Sequence, residues 1–449
     1  MTERQAFLLG CVEKHRQLIF DAERHIFYNP EPGFKEWKTA AYLAEKFREL
    51  GYELTEASNV PGFYTDLDTG RPGPKVLVMG EMDALGCGNH PNAVDGIAHA
   101  CGHNAQSAGL LGVAAALKET GALDGLSGNI RLMAVPAEEM VQLSFRESLR
   151  QQGIIRFYSG KAEFMSRGYM KDVDMAVLIH TRDLKDKDFF ARRGSNGFVR
   201  KEVIYRGVAA HAASAPEDGV NALYAATLGL QAVNSLRETF REDQKIRVHG
   251  IITHGGSAAN VIPDEVRLEL AVRGAEVEAI RAVAKKVDRA LVGAAVSLGA
   301  EIEIRNRPGY TPLRNDPNFL AVFKECAEVI SGAENVNIDQ NNWSTGSTDM
   351  GDMCAVMPTI QPYATGAVGK GHGADYQIAE PEKACVNSAK AEVLLLDALL
   401  KDNAQKAMEI IRNFQAPFTQ EEYIAYLDSC FVETQPIEYG ADGTIRLFG

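Results

Sequence analysis

The stretch KVLVMGEMDAL, residues 75–85, runs from an unbroken apolar core straight into two carboxylates. A run that short and continuous, with no alternation, is the pattern of a strand covered on both faces. Two later segments repeat the form: NIRLMAV (129–135) leads into Pro136-Ala137-Glu138-Glu139, and DMAVLI (174–179) leads into His180. Helix-patterned stretches accompany them, such as EWKTAAYLAEKFRELGYEL (36–54), whose helical spacing ends at Gly51. Together they predict a mostly parallel sheet with helices on its faces. Ligands of open α/β sheets bind beyond the carboxyl ends of the strands, where the acidic and histidine side chains of all three segments fall.

From about Gly194 the texture changes. FVRKEVIYRG (198–207) and EVRLELAVRG (265–274) alternate like half-exposed strands, interleaved with the helix-like stretches 218–236 and 276–295 and followed by AEIEIRNR (300–307). This is a β-α-β-β-α-β order, a separate α+β unit of ferredoxin-like type. The expected fold class is therefore α/β: a larger, mostly parallel-sheet domain in two parts, 1–193 and 310–449, with a smaller α+β domain, 194–309, inserted between them. A chain of 449 residues exceeds one ordinary core, in keeping with that division. The last ~45 residues, from KDNAQKAMEIIRNF onward, read as a helical tail.

The net charge of −13, from 47 basic and 60 acidic residues, argues against nucleic acid or an anionic membrane surface as partner. No window reaches the ~18 uninterrupted apolar residues of a membrane span. The first twenty residues carry charges throughout and lack the apolar core of a secretory signal. Seven scattered cysteines suit a reducing compartment, so a cytoplasmic location is expected.

HACGHNAQ (99–106) sets Cys101 and His103 two apart, just before a glycine- and alanine-rich helix. A thiolate and an imidazole suit Zn, Mn, Co or Ni, although a lone cysteine is more often a small buried hydrophobe. Cys87, His90, Cys101 and His103 also admit a four-ligand structural zinc site, which would leave Glu138, Glu139 and His180 without a role. Adjacent carboxylates at a strand end offer one ligand for a metal and one base for its water. His180 ends an apolar run and His372 sits in the glycine-rich GKGHGADY (369–376), where the backbone can approach a ligand closely. His211, in GVAAHAASAPEDGVNAL (207–223), belongs to the inserted unit and suits a transition-state donor delivered by domain closure.

EMDAL, HACGHN, PAEE, the strand-end IH, GVAAHAA, GGSAANVIPDEV, GSTDMGD and the glycine-flanked His372 occur in this order between about residues 15 and 400. The set resembles the metal-dependent amidohydrolase family of aminoacylases, auxin-conjugate hydrolases and p-aminobenzoyl-glutamate hydrolase. Glu-x-Asp-Ala-Leu and Asn104 after His103 are similar to the p-aminobenzoyl-glutamate hydrolase branch, where the auxin branch tends to have Asp. The resemblance implies two divalent ions, Mn or Zn with Co or Ni admissible, held by Cys101, His103, Glu139, His180 and His372. It implies Glu138 as general base, with Asp83 and His211 in the catalytic set, and Asn260 and Arg273 on the substrate. It also implies a homodimer or higher homo-oligomer through the inserted domain, with His211 serving a neighbouring subunit. Two departures stand out: the insertion-like MVQLSFRESLRQQGIIRFY (140–158), and Ser347-Thr348-Asp349 in place of the auxin branch's Glu-Asp pair. The expected reaction is hydrolysis of a C–N bond in a small acidic or aromatic substrate, the amide of an N-acyl or N-aroyl amino acid. Its rivals are release of ammonia from an aromatic amine by the same site, and a catalytically inactive binding protein.

Overall fold

The computed structural model describes residues 1–440, 442 and 444–448. The chain forms two compact units. The first comprises Met1–Gly194, Leu313–Trp343 and Asp349–Glu421; the second comprises Ser195–Pro312, Ser344–Thr348 and the chain from Glu422 onward.

In the first unit a six-stranded sheet runs in the order Thr55–Glu56, Phe63–Asp68, Asn129–Val135, Lys75–Glu81, Met175–Val177, Thr359–Ile360. The last four strands are mutually parallel and the first two antiparallel, so the expectation of a mostly parallel sheet holds. Glu81 lies opposite Val135 and Val78 opposite Val177, so the neighbouring parallel strands release their polar loops at the same edge. The helix His103–Leu117 is buried along its whole length. Its small residues make that possible: a Cβ on Gly112 would lie 2.5 Å from Ile19 Cδ1, and one on Gly80 3.2 Å from the helix backbone at Gln106 and Ser107. Strand and helix thus pack almost backbone to backbone, which fixes where His103 starts relative to the end of Lys75–Glu81.

The second unit has strands Gly197–Arg206, Arg247–His254, Glu265–Gly274 and Glu301–Pro308 with helices Ala222–Ser235 and Val277–Leu298. All strand neighbours are antiparallel, in the spatial order Arg247–His254, Glu265–Gly274, Gly197–Arg206, Glu301–Pro308, as the ferredoxin-like reading requires. The two helices seal one face of the sheet, Val287 and Leu291 of the second helix sharing a core with Val203, Tyr205, Leu268 and Leu270.

The tail differs from its expected helical form. It is helical only as far as Asp428; Val432–Thr434 then joins the sheet as a fifth strand beside Glu301–Pro308, and Ile437–Tyr439 pairs with Ile445–Leu447. Arg307 binds Glu433 at 2.5 Å and the Tyr439 hydroxyl donates to Ala300 O at 2.9 Å. A three-residue strand carries no periodicity of its own; its partner edge, some 130 residues upstream, supplies the order. No helix among the described residues is long and apolar enough to cross a membrane.

Glu392 is buried on the helix Asn387–Asn413, and burial pushes its carboxyl up to about 8, partly offset by the Ile179 N–H. The folded protein holds this proton while the unfolded chain releases it above about 4.5, so stability declines as pH rises between those values. Glu392→Gln should remove that decline, gaining up to a few kcal/mol at pH 8 and nothing at pH 4.5. Denaturation of both proteins across this range checks it; parallel curves would contradict it.

Candidate active site

Gly102 has φ +83°, and any Cβ there would clash with Thr181 Oγ1 and Tyr376 Oη. Only glycine lets the chain turn this tightly into the buried helix. The turn leaves Cys101 and His103 side by side. His103 Nδ1 lies 2.8 Å from Asp83 O and 3.1 Å from Asp83 Oδ1, both acceptors, so it carries the ring proton. The lone pair is therefore on Nε2, which lies 3.2 Å from Glu81 Oε2 without forming a hydrogen bond. His180 is set the same way: Nδ1 donates to Thr181 O at 2.8 Å and Nε2 faces Cys101 Sγ at 3.5 Å. Such backbone and carboxylate anchors on the far nitrogen are how proteins present imidazole lone pairs to a metal.

His372 adopts φ +65° between glycines, and its N–H donates to Ala100 O at 2.7 Å. Its Nε2 meets Glu139 Oε1 at 2.9 Å. Possible ligand atoms thus gather in two triads that share one thiol, Cys101–His103–His180 and Cys101–Glu139–His372, each within 4.8 Å. His103, Glu138 and Glu139 form a third such group. His103 Nε2 is buried without a hydrogen-bond partner, and Glu139 Oε1 has only His372 Nε2 beside it. Burying polar atoms this way is unfavourable unless something else satisfies them, so the donor set fits a divalent ion.

The electrostatics follow from these neighbours. Burial opposes ionisation of Cys101, but the His103 and His180 imidazoles outweigh it and hold the thiol well below its usual range. Burial lifts Glu139 to about 7, helped by the Cys101 thiolate. Glu138 is raised well above an ordinary carboxyl by burial and by the charges of Glu81, Glu139 and Asp349. Asp83 goes the other way, to about 2: burial is overcome by its bond to His103 and by the Glu139 N–H.

The four-ligand reading over Cys87, His90, Cys101 and His103 does not form. His90 spends Nε2 on Tyr376 O at 2.8 Å and Nδ1 on the Asn92 N–H at 3.1 Å, while Cys87 Sγ turns to Asn89 and His372 O. Asn104 also points elsewhere, donating to Glu23 Oε1 at 2.7 Å. An Asp at this position would face that buried carboxyl with a like charge, which gives Asn a packing reason rather than a substrate role.

His211, Asn260 and Arg273 belong to the second unit. His211 Nδ1 accepts the Ala213 and Ser214 N–H groups at 3.2 and 3.1 Å, so a neutral ring carries its proton on Nε2. Asn260 lies on the adjoining segment, its carbonyl taking the Ala212 N–H at 3.0 Å. Arg273 stacks over Phe198 at 5.0 Å and donates to Ser347 Oγ at 2.8 Å. Among the described residues no carboxylate pairs with it.

Lys161 and Arg146 are the functional-looking residues that the sequence did not reveal. Lys161 is fully buried, 2.5 Å from Glu81 Oε1 and bonded to Asp349 Oδ1, in the cluster formed by Glu81, Glu138 and Asp349. Its ammonium fills from within the chain the place where three carboxylates would otherwise attract a cation. Lys161→Met should leave those acids uncompensated and lower stability by roughly 3–5 kcal/mol. Adding Asp349→Asn should recover part of the loss in urea titrations, and additive losses would contradict this account.

The family model described as Peptidase family M20/M25/M40 matches residues 77–398. The chain is 28% identical over 380 residues to indole-3-acetyl-aspartic acid hydrolase of Enterobacter agglomerans, covering 73% of this chain and 82% of that protein. It is 29% identical to one of the two subunits of p-aminobenzoyl-glutamate hydrolase of Escherichia coli (68% and 61% covered). It is 30% identical over 444 residues to human Xaa-Arg dipeptidase, with 92% of each covered. A solved dinuclear metal-binding M20 peptidase from Bacillus subtilis superposes with a TM-score of 0.64 at 22% identity, over 85% of this chain and 98% of that one. With most of its length matched and the site groups gathered inside the matched region, the chain belongs to peptidase family M20/M25/M40, whose members are hydrolases of amide bonds.

Proposed function

We propose that this chain is a two-metal amidohydrolase that cleaves the amide of an N-acyl or N-aroyl amino acid. The observation that carries the reading is the pair of triads meeting at Cys101, with both imidazole lone pairs aimed inward by their Nδ1 anchors. Cys101, His103 and His180 would hold one divalent ion, and Cys101, Glu139 and His372 the second. Bound there, the ions supply a water of lowered pKa and a Lewis acid for the substrate carbonyl. A thiolate with three imidazoles favours Zn, Co or Ni on softness, and the resemblance admits Mn.

Glu138 is the proton carrier. Its buried carboxyl takes a proton from the attacking water, holds it on Oε, and returns it to the leaving amine as the C–N bond breaks. Burial and the neighbouring acids raise its pKa, which favours holding the proton once it is taken. Asp83 fixes the His103 tautomer and the Glu138–Glu139 backbone without reacting. His211 presents an Nε2–H suited to the developing oxyanion, and Asn260 on the adjoining segment contacts the substrate amide. Arg273, lacking a carboxylate of its own, holds the free carboxylate of the amino-acid half. Ser347 accepts from that guanidinium without bringing a charge to it.

The partner is a second copy of the chain. The edge strand Arg247–His254 exposes Ile251 and Ile252, and the helix Ala222–Ser235 exposes Tyr224 and Leu228. Seven unpaired cysteines fit a reducing compartment such as the cytoplasm.

Three outcomes are expected. Chelation abolishes turnover and a divalent ion restores it, with two organic fragments as products; ammonia release would favour the deaminase rival. Glu138→Gln lowers kcat by about 10²–10⁴-fold with metal content unchanged, and near-normal turnover would remove Glu138 from the proton path. Arg273→Met raises KM more than tenfold for carboxylate substrates and leaves their amidated analogues unaffected; equal effects on both would deny it the carboxylate.

A further inference from the structure

We infer that the segment 140–158 is a positioning clamp for the Glu138–Glu139 pair, acting through Arg146. The inference rests on the proposed roles of those glutamates. Arg146 lies on the helix Leu143–Gln151 and is 1% exposed. Among the described residues its guanidinium takes no carboxylate as direct partner; it is spent on backbone carbonyls. Nε donates to Val141 O at 2.9 Å, Nη1 to Ala137 O at 3.3 Å and to Tyr158 O, and Nη2 to Glu139 O.

The N–H groups of the same loop are taken by acids. Glu36 Oε1 accepts from Ala137 N at 2.8 Å, Asp83 Oδ1 from Glu138 N at 3.1 Å and Asp83 Oδ2 from Glu139 N at 2.8 Å. The loop is therefore held between buried carboxyls on its donors and one buried cation on its acceptors. It needs holding, because Ala137 (φ +59°) and Gln142 (φ +53°) both sit in the left-handed region that non-glycine residues avoid. Space for the guanidinium is made at Gly33, where a Cβ would lie 2.5 Å from Arg146 Nη2 and 3.0 Å from Ala137 Cα. Lys35 adds an outer tie, its ammonium 4.0 Å from the Phe145 ring and 3.0 Å from Gln142 Oε1.

A planar fork reaching four carbonyls cannot be replaced by one ammonium. Arg146→Met and Arg146→Lys should both lower kcat about a hundredfold, the effect of an ångström-scale displacement of a reacting group, while KM changes only a few-fold. Guanidinium ion at non-denaturing concentration should restore part of kcat in Arg146→Ala. Gly33→Ala, which keeps the charge and crowds the fork, should lower kcat in the same way and provides the reading where the Arg146 variants do not fold. Rates are taken per folded, metal-loaded molecule, so loss of stability alone leaves them unchanged. Wild-type kcat in a folded, metal-loaded Arg146→Met or Gly33→Ala overturns the clamp. If Glu138→Gln is itself active, the reading of the glutamates fails; if Glu138→Gln is inactive and Arg146→Met is not, the clamp alone fails.

Discussion

Asp83 is the residue on which the site's geometry depends. It is buried at the end of the strand Lys75–Glu81, and its acceptors reach three other places at once: the His103 ring, the Glu138 N–H and the Glu139 N–H. The first sets which imidazole nitrogen carries a lone pair; the other two set where both glutamates begin. A carboxylate can do this only while ionised, and its bonds to His103 and to the loop keep it so, near 2, against the opposition of burial. Two neighbouring parallel strands and the buried helix are thus joined by one side chain.

Burying so many acids together demands compensation, and the chain supplies it selectively. Lys161 answers Glu81 and Asp349, and Arg146 lies in the field of Glu36 and Asp83 while bonding to carbonyls; the His103 ring gives Asp83 a hydrogen bond. Glu138 and Glu139 are both pushed up in pKa, and they stand beside the thiol that the two triads share. On the proposed reading this is the place of the divalent ions, so the fixed cations sort the acids into supports and reactants. A site with one more internal cation would have weaker need of a metal. One with fewer would bury charge it could not hold.

Much of this was legible in the sequence. The strand-end carboxylates and His180 could be read because each follows an apolar run whose burial is a local property of its composition, and Cys101 and His103 because they stand two apart just before a glycine- and alanine-rich helix. The β-α-β-β-α-β order could be read because alternation changed at Gly194. Lys161 and Arg146 were not legible. SGKAEF and SFRESLR look like ordinary solvated helix turns, and their burial arises only from approach of Asp349, some 190 residues away, and of Gly33. Asn104 pointed to a branch of the family, yet its physical reason is Glu23, on a helix that no motif includes.

The terminal strand was also hidden from sequence, and it bears on how the second unit meets a partner. An open antiparallel sheet has two edges, each a row of unpaired backbone groups. Here Val432–Thr434 covers the Glu301–Pro308 edge and the Arg307–Glu433 pair fastens it, while Arg247–His254 remains open. Ile251 is 62% and Ile252 40% exposed on that open strand, against the charged or very short edges that proteins use to prevent pairing. Exposed neighbours at Tyr224 and Leu228 extend the apolar surface from strand to helix. The tail leaves only a three-residue strand at one edge, while the other is long and apolar. Very short edges are poor templates for pairing. Association is thereby favoured at the long edge alone, which fits the homodimer proposed for this chain.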